Sequence, residues 1–128
     1  MRLLLDTHVF LWWHSERSKL SSKVLALCED VTNDLYLSLA SVWEIQIKLQ
    51  LGKLKLAHEL NQIIERELRE NVMTLLPIHQ THIYGLANLP AHHRDPFDRI
   101  LIAQAQVEAF TLLTQDALIT QYPVSTLW

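Results

Sequence analysis

Short apolar runs bounded by polar residues alternate along this chain with longer stripes of helical spacing. Arg2-Leu3-Leu4-Leu5 stops abruptly at Asp6-Thr7 and reads as a strand buried on both faces, as in the centre of a parallel sheet. Leu35–Ser38, Val72–Leu76 and Phe110–Leu113 repeat that signature, and Tyr122–Leu127 reads as an edge strand. Helical patterns lie between them. Val9–His14 carries Trp12 and Trp13, and Ser21–Glu29 starts on a serine cap. Ser41-Val42-Trp43-Glu44 has the spacing of a capping box, opening a helix that Gly52 stops. Lys53-Leu54-Lys55-Leu56 is a connector. Glu59–Glu70 is amphipathic, with Leu60, Ile63, Ile64, Glu67 and Leu68 on one face. His79–Asn88 is a short helix ended by Leu89-Pro90. The last long helix runs to about Ala109, with Asp95 as N-cap and Pro96 at its first position. Thr114-Gln115-Asp116 opens a short final helix. Strands alternating with helices over short connections predict an α/β fold with a mostly parallel sheet.

In such sheets ligands gather beyond the carboxyl ends of the strands, near a topological switch point. Asp6 directly follows the first strand and Asp116 the fourth. Glu44 lies in the first turn of the helix after the second strand. Asp98 lies in the first turn of the helix before the fourth, and crossover helices run antiparallel to the strands. All four acids therefore reach one edge. Each also has a local job: Asp6 and Asp116 as helix caps, Glu44 within the capping box, Asp98 as a charge favoured by a helix N-terminus. The two readings are compatible, because helix starts are a natural mounting for ligands. Clustered carboxylates repel one another unless a cation lies between them. Hard divalent cations take oxygen ligands, and Mg²⁺ or Mn²⁺ held there activates water and stabilises a leaving oxygen at phosphorus. No nucleophile triad competes, and the isolated Gly52 and Gly85 form no phosphate-binding loop.

Composition narrows the field. The 128 residues, 49 % apolar and 20 % charged, suit one globular domain over 1–128. A net charge of −3 gives no global basic field, so any nucleic acid must meet a local patch. Lys48, Lys53, Lys55, Arg94 and Arg99 are the candidate phosphate contacts, with a solvated helix end or an Arg99–carboxylate pair as the alternatives. Trp12, Trp13, Trp43 and Phe97 are candidates for base stacking, although Trp12 and Trp43 read as core by spacing. Ile63, Ile64 and Leu68 are candidates for an exposed dimer face or partner groove. Seven histidines, including His92-His93 and the i, i+3 pair His79 and His82, raise zinc, but no thiolate set supports it. His8 reads as packed in the first helix, with the acid pocket as its alternative. The lone Cys28 reads as a buried, inert thiol. Neither a signal peptide nor a membrane span is expected, and the expected compartment is cytoplasmic.

Leu3-Leu4-Leu5-Asp6-Thr7-His8, Ser41-Val42-Trp43-Glu44-Ile45, Arg94–Ala105 and Leu112-Leu113-Thr114-Gln115-Asp116 together resemble the motifs of PIN-domain proteins. Within these the chain is most similar to the VapC-like toxins of bacterial toxin–antitoxin pairs, from Leu3 to about Val124. The resemblance implies a three-layer α/β/α sandwich with a mostly parallel sheet and a Mg²⁺-dependent endoribonuclease. It maps the family's acids onto Asp6, Glu44, Asp98 and Asp116, with Asp6 and Asp98 the principal metal ligands. Glu44 would ligate directly or through water, and Asp116 would complete a second metal position or hold waters. Thr7 and Thr114 would hydrogen-bond the carboxylates. Asp95 is an extra acid, ranked as a cap first and as a neighbour of the site second. Homodimerisation and inhibition by a cognate antitoxin are further implications. The competing readings are a non-catalytic module that binds antitoxin or RNA, and a phosphoesterase acting on DNA.

Overall fold

The computed structural model describes residues 1–71 and 73–128. Strand β1 (Arg2–Leu5) leads into α1 (Thr7–Ser15), and α2 (Ser22–Glu29) precedes β2 (Asp34–Ser38). Helices α3 (Leu39–Gln50) and α4 (Leu60–Glu70) follow, then β3 (Thr74–Leu76) and α5 (Gln80–Gly85). Helix α6 (Pro96–Glu108), β4 (Thr111–Leu113) and β5 (Thr126–Leu127) complete the order. The strands form one sheet in the order β3-β2-β1-β4-β5, and every pairing is parallel.

Three consecutive leucines suffice for β1 because both of its faces are covered. Leu3 and Leu5 join one core cluster, with Val9, Phe10 and Trp13 of α1, Val24 of α2 and Ile63 of α4. Leu4 points the other way, among Leu101, Ile102 and Ala105 of α6. The period-two alternation of a strand thus splits an all-apolar run between two helical layers. All three leucines are fully buried, so truncating one to alanine costs about 2–5 kcal/mol. The chain leaves β1 for β2 and β3 on one side and returns to β4 on the other. The switch point therefore falls between β1 and β4.

Several expectations are corrected. Helix α3 starts at Leu39, capped by Ser38, whose hydroxyl accepts the Ala40 N–H at 3.0 Å. Ser41 and Glu44 thus lie inside the helix and form no capping box. The inward face is Ala40, Ser41, Glu44 and Ile45. Trp43 is off that face and 60 % exposed, so it is not core. Ile63 and Ile64 are buried and Leu68 packs against the same cluster, which removes the apolar face of α4 from any dimer surface. The expected helix after Asp116 shrinks to a 3₁₀ turn at Ile119–Gln121, and the edge strand to Thr126–Leu127, beyond Pro123, which has no N–H to give a ladder. Val72, expected at the start of the third strand, lies outside the described residues. Cys28 is buried as expected, and burial pushes its thiol up to about 11.

Candidate functional site

Each acid reaches the carboxyl edge of the sheet by its own route. Asp6 follows β1, and its backbone N–H extends the ladder to Leu113 O at 3.1 Å. Its Oδ2 accepts the Thr114 hydroxyl at 2.7 Å, so β4 aims the side chain that β1 supplies. Glu44 arrives on the inward face of α3, where Lys48 one turn on pairs with Oε2 at 3.0 Å. Asp98 sits in the first turn of α6. That helix is capped by Asp95, whose Oδ1 accepts the Phe97 and Asp98 N–H groups at 2.8 and 3.2 Å. Asp116 ends the β4 loop, its own N–H held by Thr114 Oγ1 at 3.1 Å. Its Oδ1 closes a tight turn on the Leu118 N–H at 2.8 Å rather than capping a helix.

The cluster is under electrostatic tension. Burial, and then the charge of Asp6, push the Asp98 carboxyl up to about 7. Asp95 and Glu44 add to the rise and the His93 ring opposes it. Burial also raises Asp6 above the ordinary carboxylate range, against the lowering effect of the Thr114 hydroxyl. Two buried oxygens, Asp6 Oδ1 and Glu44 Oε1, have no hydrogen-bond partner among the described residues. A buried acceptor left unpaired is costly, more so when it is charged. Anionic oxygens without donors are what a hard divalent cation accepts, so the chemistry of this donor set fits Mg²⁺ or Mn²⁺. Among the described residues the possible ligand atoms within 4.8 Å of one another are those of His93, Asp98 and Asp116, with Asp6 and Glu44 outside that group. A hollow of about 320 Å³ opens beside Asp6 and Asp116, lined also by His8, Val9, Trp12 and Gln115. His8 is exposed on its wall.

His93 is the site residue that sequence reasoning missed. Its Nε2 lies 2.9 Å from Asp98 Oδ2 and 3.0 Å from Asp116 Oδ2. The available signal was its place just ahead of a capped helix that carries Asp98, a position that the adjacent-histidine pattern with His92 hides. Neither His82 nor His92 joins it. His82 is fully buried and bonds Glu108 Oε1 at 3.0 Å, and His92 lies against Tyr122.

The neighbours divide. Thr114 bonds Asp6 as expected, whereas the Thr7 hydroxyl donates to Ser41 Oγ at 2.9 Å and ties α1 to α3 instead. Arg99 is no phosphate contact in this arrangement. Its guanidinium donates to the carbonyls of Pro90 and His93 at 2.9 and 3.3 Å and to the Tyr122 hydroxyl at 3.2 Å. It pairs with no carboxylate among the described residues either, because its place in the first turn of α6 brings it under the loop that precedes the helix. Lys48 is committed to Glu44, while Lys53, Lys55 and Arg94 are exposed. Trp13 is buried beneath the Arg17 guanidinium, and Trp12 is half-buried against Trp128. Trp43 meets Phe97 edge-on at 5.1 Å on an apolar hollow with Ala40, Ile83 and Ile100.

None of the curated proteins matches the chain. Solved structures do. VapBC2 from Rickettsia felis, bound to a DNA fragment from its promoter, is 14 % identical, with a TM-score of 0.73 over 99 % of this chain and 98 % of that one. DNA-bound VapBC from Salmonella typhimurium is 12 % identical, with a TM-score of 0.71 over 99 % and 97 %. FitAcB from Neisseria gonorrhoeae is 21 % identical, with a TM-score of 0.66 over 98 % and 96 %. At these identities the likeness is one of fold. The PIN domain family model matches residues 3–124, which takes in all four acids, and the chain belongs to that family.

Proposed function

We propose that this chain is a Mg²⁺- or Mn²⁺-dependent endoribonuclease, the toxin of a toxin–antitoxin pair, acting in the cytoplasm as a single domain over 1–128. PIN domains are generally nucleases that use a divalent metal, which supports the coarse reading. The observation that carries the metal reading is the pair of buried oxygens on Asp6 and Glu44 that have no hydrogen-bond partner among the described residues, near an Asp98 carboxyl whose ionisation its surroundings oppose. Asp6, Glu44, Asp98 and Asp116 would hold the ion. When bound, it lowers the pKa of the attacking water and offsets charge developing at phosphorus. Thr114 keeps Asp6 aimed, and Lys48 fixes one Glu44 oxygen while the other has no partner among the described residues. Arg94, Lys53 and Lys55 are the remaining cations for RNA phosphates. The antitoxin partner rests on the VapBC and FitAcB complexes that share the fold; a homodimer rests on the family resemblance.

A non-catalytic binding module is the second reading, favoured by one observation: the chain's own Lys48 and His93 already face three of the four acids. Cleavage assays on RNA and single-stranded DNA, with Mg²⁺, Mn²⁺ or chelator, separate the two. RNA cleavage that needs the metal and disappears in Asp6→Asn and Asp98→Asn is the expected result. Cleavage of DNA alone would make the chain a DNA phosphoesterase, and silence on both substrates with either metal would favour the binding module.

A further inference from the structure

We infer that His93 is a positioning residue, which holds Asp116 by a hydrogen bond and keeps Asp98 against the same ring nitrogen, and not a metal ligand. The inference rests on the metal-dependent reading above. Asp98 comes from the first turn of α6 and Asp116 from the loop after β4, so no main-chain element joins them. The His93 ring does, with its side chain only 10 % exposed.

The ring's two nitrogens have different jobs. Nδ1 accepts the Asp95 N–H at 3.2 Å, so the neutral ring carries its proton on Nε2. That N–H donates to Asp116 Oδ2 at 3.0 Å, and Asp98 Oδ2 lies 2.9 Å from the same nitrogen, off the hydrogen-bond direction. A ligating nitrogen needs a free lone pair, and in this tautomer Nε2 has none to give. The loop that presents the ring is itself fastened. The His93 N–H donates to the Tyr122 hydroxyl at 2.8 Å, and that hydroxyl donates to Pro90 O at 2.8 Å. Arg99 spans the Pro90 and His93 carbonyls. A hydrogen bond from a fixed ring offsets the repulsion that would otherwise push the paired carboxylates apart. Removing partners of this kind lowers metal affinity about 10- to 100-fold.

The test titrates Mg²⁺ into the full chain by calorimetry, for wild type, His93→Ala and His93→Gln, and follows the ring nitrogens of the wild type by ¹⁵N NMR. His93→Ala is expected to bind Mg²⁺ about 10-fold or more weakly, with cleavage recovering toward wild type at saturating Mg²⁺. His93→Gln, whose amide donates in the same direction, is expected to regain most of the affinity. Nε2 is expected to stay protonated before and after Mg²⁺ is added. His93→Ala binding as tightly as wild type, or more tightly, would overturn the inference. So would loss of the Nε2 proton on loading, or a folded Gln variant no better than a folded Ala variant. If His93→Ala fails to fold, the Gln variant and the wild-type spectrum decide. A wild-type chain that binds neither Mg²⁺ nor Mn²⁺ sinks the metal reading and this inference together, whereas metal binding indifferent to His93 sinks only the latter.

Discussion

Asp6 and Asp95 hold the same post, the residue just before an α-helix, and do opposite things there. Asp95 turns back on α6 and accepts its first free N–H groups with Oδ1. Asp6 makes no cap hydrogen bond to α1; its Oδ2 goes to Thr114 across the sheet, and its Oδ1 has no partner among the described residues. The backbone accounts for much of the contrast. Asp6 is still held in the ladder between β1 and β4, whereas Asp95 precedes a proline that presets the first turn of α6. A helix start is therefore not a function by itself. What decides is whether the helix or another element claims the carboxylate.

The largest effect that tests this contrast is loss of chemistry. Asp6→Asn keeps an oxygen for Thr114 and removes the charge. RNA cleavage in Mg²⁺ is expected to fall about 1,000-fold or more, which is about 4 kcal/mol of barrier. The metal-free melting temperature is expected to hold or rise, since a buried charge is gone. A variant that unfolds, or that cleaves at the wild-type rate, would put Asp6 in the structural class with Asp95.

Removing the metal gives a second, smaller test. In the metal-free protein burial, and then the charge of Asp6, push the Asp98 carboxyl up to about 7 from its ordinary 3.8. The folded state thus binds the proton more tightly. Asp98 contributes stability that is complete below about pH 4 and is lost as pH rises through 7. The chelated protein should lose on the order of a few kcal/mol between pH 4 and pH 8, seen as a falling urea midpoint. Asp6, also raised, acts in the same direction. Asp98→Asn should flatten the slope, and Mg²⁺ should stabilise the wild type more at pH 8 than at pH 5. An unchanged slope in Asp98→Asn would show that other groups carry it.

The elements that could be read from sequence are those in which one local signal suffices. Leu3–Leu5 has no polar position and so needs cover on both sides, and Asp95-Pro96 announces a helix start from two residues. Asp6, Asp98 and Asp116 could be placed on one edge because each is tied to a strand end or a helix start, whereas Glu44 comes in the second turn of α3, on its inward face. What could not be read depended on contacts made only in the folded chain. Ser41 and Glu44 carry the spacing of a capping box, but Ser38 caps first, at the end of β2. Arg99 looks like a surface cation until the loop carbonyls above it are in place. His93 gains its meaning only when Asp116, twenty-three residues on, folds beside it. Ile63 and Ile64 show their stripe, but periodicity does not say whether a stripe meets the core or a second molecule.

The smallest expected effect sharpens the comparison most. Asparagine caps a helix about as well as aspartate, because the oxygen and not the charge accepts the N–H groups. Asp95→Asn should therefore melt close to wild type. The lost attraction between a negative charge and the helix N-terminus is offset by relief of Asp98, whose ionisation Asp95 opposes. Asp95→Ala removes the acceptor and should cost about 1 kcal/mol, roughly 4 °C in melting temperature. Mg²⁺ affinity should barely move in Asp95→Asn. The same substitution is thus silent at one helix start and abolishes activity at the other. If Asp95→Asn weakens Mg²⁺ binding as much as Asp6→Asn does, the extra acid belongs to the metal site and the division drawn between the two helix starts is wrong.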